Sequence, residues 1–191
     1  MCAQLSLEEQ LCFAIAANRP LEAVVRAVEA ELMTYGRGAL VTPQMSPRTA
    51  IEWLHPIGPP CERYLARAFG TWTFLVGNSD AGLAAPLAIR LETCVLRLVW
   101  RPEQRQIFVF DTKGALMRSN QVYRDSHWVH YATGSPTMNE DPSWSTRRRK
   151  VDRLTPSDVV AFLRTLCGAC DGDPWRIDGP GIVGIQEGQQ R

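Results

Sequence analysis

The chain has 191 residues, a formal net charge of +1, 45% hydrophobic and 21% charged residues. These values suit one globular domain able to build its own core, and they exclude global disorder. A nearly balanced charge also argues against a chain built throughout as a nucleic-acid coat or an acidic solvating tail. The positive charge is carried by nineteen Arg and only two Lys, Lys113 and Lys150. Arginine offers a planar donor fork suited to carboxylates and phosphates, although a GC-rich genome writes the same bias.

The first forty residues predict a helical hairpin. Ser6 and Glu9 have the capping-box spacing, with Leu7, Leu11, Ala14 and Ile15 on one face. Asn18-Arg19-Pro20 breaks that helix, and a second runs from about Leu21 to Tyr35 on a stripe of Val24, Val25, Val28 and Leu32. Glycines 36 and 38 end it. Residues 39 to 60 are punctuated by prolines. Ser46-Pro47 predicts a short helix through Trp53 and Leu54, and Pro60 opens another to Phe69.

The period then changes. Thr71 to Val76, Thr93 to Trp100 and Gln106 to Asp111 read as strands, the last two joined as a hairpin through residues 101 to 105. Gln121 to Ala132 supplies a fourth, while residues 83 to 91 are ambiguous around Pro86. Residues 134 to 150 read as a flexible loop. Thr155-Pro156 opens a final helix with Val159, Val160, Leu163 and Leu166 inward, and residues 171 to 191 read as an irregular tail. The expected fold is a single α+β domain: an N-terminal helical hairpin, a central antiparallel β-meander and a C-terminal helix.

Candidate chemistry is scattered. Ser79, within Gly77-Asn78-Ser79-Asp80-Ala81, has the spacing of a nucleophile elbow, and Asp111 with His127 or His130 follows in hydrolase order. A simple turn explains the same glycines. Cys61 follows two prolines at the expected helix start near Arg63, with His55 in the same stretch, the makings of a Cys/His nucleophile. A structural thiol competes with that reading, and Cys12 and Cys94 read as core. Cys167 and Cys170 form a Cys-x-x-Cys, but at the end of the last expected helix, where the dipole disfavours a thiolate. As metal ligands they need two more, and His127 and His130 fall on opposite faces if their segment is a strand. No cofactor is expected.

Two features point to binding. Arg147, Arg148, Arg149 and Lys150, with Arg153 and Trp144 nearby, form the one concentrated basic patch. Trp144 and Trp175 sit in polar, irregular surroundings, and Trp beside Arg is the composition of interface hot spots. The expected function is a non-enzymatic protein-binding module: an adaptor, chaperone-like or immunity-type inhibitory protein. Nucleic acid is the alternative partner, through residues 147 to 153, and a small Ser or Cys hydrolase is the third reading. No apolar run approaches the roughly 18 residues of a membrane span and no leader is visible, so a cytoplasmic chain with reduced cysteines and no membrane partner is expected.

Overall fold

The computed structural model describes residues 13–54, 62–77, 82–101, 104–125, 127–135 and 181–188. Among them, nine strands form one open sheet: β1 (Phe13–Ala17), β2 (Gly38–Met45), β3 (Arg63–Phe69), β4 (Trp72–Gly77), β5 (Val95–Arg101), β6 (Gln104–Phe110), β7 (Leu116–Asp125), β8 (His127–Thr133) and β9 (Ile182–Gly188). Three helices accompany them: α1 (Leu21–Thr34), α2 (Pro47–Leu54) and α3 (Ala84–Leu91). The strand order is β2-β9-β3-β4-β1-β5-β6-β7-β8, and every pairing is antiparallel.

This corrects the expected helical hairpin. Phe13–Ala17 is the middle strand of the sheet, not the end of a helix. Ala14 and Ala16 enter the apolar cluster on one face, Ile15 and Ala17 the cluster on the other. A strand buried on both faces loses the polar–apolar alternation that identifies strands. The helix expected from Pro60 to Phe69 is corrected likewise. Arg63–Phe69 is β3, with Tyr64, Leu65 and Ala66 all buried. The expected irregular tail contains β9, which lies inside the sheet between β2 and β3. The meander is confined to β5 through β8, one half of a larger sheet. The expected C-terminal helix lies outside the described residues.

Both helices on the first face follow from their sequences. α1 buries Val24, Val25, Val28 and Leu32 and packs on β2, β3, β4 and β9. It ends at Gly36, whose φ of 71° lets the chain turn back while Arg37 N–H donates to Leu32 O at 3.0 Å. α3 packs on β5 and β6 and against α1. Its Pro86 stands in the first turn, where a missing N–H costs nothing. Arg19 donates to the carbonyls of Leu91 (3.0 Å) and Glu92 (2.9 Å), satisfying the end of α3 from the β1–α1 connection. Arg90 of α3 meets Glu31 of α1 at 3.0 Å, which gives that buried carboxylate a partner.

On the second face α2 packs over β3 and β9. Ser46 caps it, accepting from Thr49 N–H at 3.1 Å, with Pro47 at its first position. Gly184 allows this approach: a Cβ there would stand 2.7 Å from Met45 Cε and 3.1 Å from Trp53. Cys94, expected in the core, is exposed between α3 and β5.

Candidate protein interface

Of the hydrolase candidates, Asp111 and His127 stand at opposite ends of β7. Asp111 closes the β6–β7 turn: its Oδ1 accepts from Lys113 N–H at 2.9 Å and Ala115 N–H at 2.8 Å. That turn lies at one end of β7, whereas His127 pairs with Asp125 at the other. Nine residue steps of strand separate Leu116 from Asp125, roughly 30 Å. His130 pairs with Val122, three positions along β8 from His127. Ser79, His55, Cys61, Cys167 and Cys170 lie outside the described residues, as do Trp144, Arg147, Arg148, Arg149, Lys150, Arg153 and Trp175. Among the described residues no group of three or more His, Cys, Asp or Glu could hold a metal.

What the fold does assemble is an edge. β2 is one border of the described sheet, and residues 40 to 44 are exposed in succession. Leu40 is 60% exposed, and Val41 is exposed beside it. The turn that joins β2 to α1 carries Tyr35, 58% exposed, and the last turn of the helix carries Met33, 61% exposed. Four large exposed apolar side chains thus stand at one border of the described sheet. Such grouping, unlike single exposed side chains, marks contact surfaces.

A polar frame holds this border. Arg37 meets Glu62 Oε1 at 3.2 Å and Glu187 Oε1 at 3.3 Å, and its guanidinium lies 5.9 Å from the centre of the Tyr35 ring. Tyr64, fully buried, donates its hydroxyl proton to Glu62 Oε2 at 2.8 Å. Burial first, then the Glu62 hydrogen bond and the carboxylates of Glu62 and Glu187, raise the Tyr64 hydroxyl above the usual phenol range. The backbone N–H of Glu62 donates to Glu187 Oε2 at 3.3 Å, and that of Glu187 to Glu62 O at 2.9 Å. The α1–β2 turn, the start of β3 and the end of β9 are therefore tied together at one point.

The outer edge of β2 is usable over part of its length. Pro43 has no N–H to offer, the β2–β9 register shifts between Thr42 and Met45, and Gln44 has a φ of 55°. These features close the second half of the strand to pairing. Gly38 through Thr42 keep a regular register with β9. The site was missed from sequence because Pro43 interrupts the run Ala39-Leu40-Val41-Thr42. A proline near the end of such a run is itself the sign of an edge strand.

No family model, curated protein or solved structure matches this chain.

Proposed function

We propose that this chain is a non-enzymatic protein-binding module whose docking surface is the β2 border. The observation that carries this reading is the coincidence of an exposed edge strand with exposed Leu40, Val41, Met33 and Tyr35, framed by the Arg37–Glu62–Glu187 network. An edge strand offers its backbone to an extended partner segment, and flanking side chains set the choice of partner. Aromatic and Arg side chains at the centre of a small apolar patch supply most of an interface's energy. The same logic extends to Trp144, Trp175 and the basic residues 147 to 153, named from sequence as further contacts.

Native mass spectrometry of the chain isolated gently from its own host tests the reading. The wild type should carry the added mass of a second polypeptide. Leu40→Lys, which places a charge on the edge as natural edge strands do against pairing, should lose it while keeping the circular dichroism of the fold. A bare monomer for the wild type, or a complex indifferent to Leu40→Lys and Tyr35→Ala, would contradict it.

A further inference from the structure

The usable part of the β2 edge is framed at both ends by its own chain. Before it, the N–H of Arg37 is spent on Leu32 O, where α1 closes. After it, Pro43 has no N–H and Gln44 stands at a φ of 55°. Between these limits Gly38, Ala39, Leu40, Val41 and Thr42 keep a regular antiparallel register with β9, the one neighbour of β2 among the described strands. A strand in such a ladder turns alternate N–H and C=O pairs away from its neighbour. Leu40 is the middle residue of the frame.

The side chains respect the same frame. Ala39 packs on the apolar cluster beneath α1, so Val41 shares that face while Leu40 and Thr42 take the other. Leu40, Val41 and Thr42 are all exposed. From Gly38 to Met45 the strand carries no charged residue. Lysine or an inward-pointing charge is a usual protection of an edge that must stay single, and β2 has neither. Pro43 and the register shift protect it only beyond Thr42. The nearest charge, Arg37, is held by Glu62 and Glu187.

We infer that the occupant of this edge is a second copy of the chain, its β2 lying antiparallel to the first about a two-fold axis at Leu40. The inference rests on the reading of β2 as a docking edge and names what docks there. Leu40 then faces the second copy's Leu40, Ala39 faces Val41, and Gly38 faces Thr42. The outward N–H and C=O groups of the two frames meet in about four to six hydrogen bonds. Arg37 falls opposite Pro43, so no like charges are opposed. A longer foreign strand would overrun the frame onto the engaged Arg37 amide and onto Pro43, whereas a copy stops pairing at the same two points. Pairing of β2 with the opposite border, β8, would leave an edge free at each end and grow without limit; β2 on β2 closes after two chains.

Sedimentation equilibrium of the purified full chain tests it. The wild type should approach twice the mass of one chain as concentration rises. Leu40→Lys should raise the dimer dissociation constant about 10-fold or more, through opposed like charges and lost apolar burial, while keeping the circular dichroism of the fold. Leu40→Glu should do the same alone. Mixing the two variants should restore the dimer, because opposite charges then face one another across the axis; misfolded chains would gain nothing from mixing. Leu116→Lys, at an exposed position of β7, should leave the dimer intact. The inference is overturned if the wild type stays monomeric, if Leu40→Lys dimerises as the wild type does, or if the mixture stays monomeric. A monomer that still captures a foreign polypeptide through Leu40 overturns this inference and leaves the docking edge standing. A dimer indifferent to Leu40→Lys, with no other polypeptide bound, overturns both.

Discussion

On the helix-bearing side of the sheet, β3, β4 and β1 present Tyr64, Ala66, Leu75 and Ile15, all buried. On the same side, β6, β7 and β8 present Gln106, Gln121, Tyr131 and Thr133, half-buried or exposed. The two regions belong to one continuous sheet with one hydrogen-bond pattern. They differ in what covers them: α1 packs on β3 and β4, and α3 packs on β5 and β6. Stability is therefore concentrated in the clad half, while the β6–β8 half leaves polar groups in contact with solvent.

The sharpest test of that division is a pair of truncations. Leu75→Ala, at the fully buried centre of the clad half, should cost about 3–4 kcal/mol in denaturant unfolding. Gln121→Ala, half-buried on β7, should stay within about 0.5 kcal/mol. Equal costs would dissolve the comparison. A smaller effect is expected where the clad half joins its two helices. Arg90→Ala strands the buried Glu31 carboxylate and should cost about 2 kcal/mol, because an ionised group loses its partner out of water.

Next comes a pH effect at the β2 border. The folded chain holds the Tyr64 proton above the usual phenol pKa, near 10 in model peptides. The unfolded chain gives that proton up near pH 10, so the contribution is intact below about pH 10 and falls as pH rises past it. Tyr64→Phe should flatten this alkaline decline in thermal melts, and cost about 1 kcal/mol at neutral pH for the hydrogen bond to Glu62. An unchanged alkaline slope would remove Tyr64 from the account.

The same division explains what could be read from sequence. β5 and β6 stood out through β-branched and aromatic residues joined by a short turn, and α1 through its valine stripe and closing Gly36. α2 was legible from Ser46-Pro47. The clad centre was not. Phe13–Ala17 is short, alanine-rich and buried on both faces, so it carries no period of two, and Leu7, Leu11, Ala14 and Ile15 imitate a helical stripe. Arg63–Phe69 is obscured in the same way by Ala66 and Ala68 and by the preceding prolines. β9 is hidden because its strand pairs are made with residues well over a hundred positions earlier, a partnership no local pattern announces. The β2 border was disguised by Pro43. Glu62 and Glu187 meet only because β3 and β9 are neighbours.

The central claim is that β2 is a docking edge, and amide hydrogen exchange on the chain with and without its co-isolated partner tests it most directly. The account predicts that the amides of residues 38 to 42 gain protection in the complex while α2 and β8 exchange as before. Protection confined to other segments, with residues 38 to 42 unchanged, would contradict it.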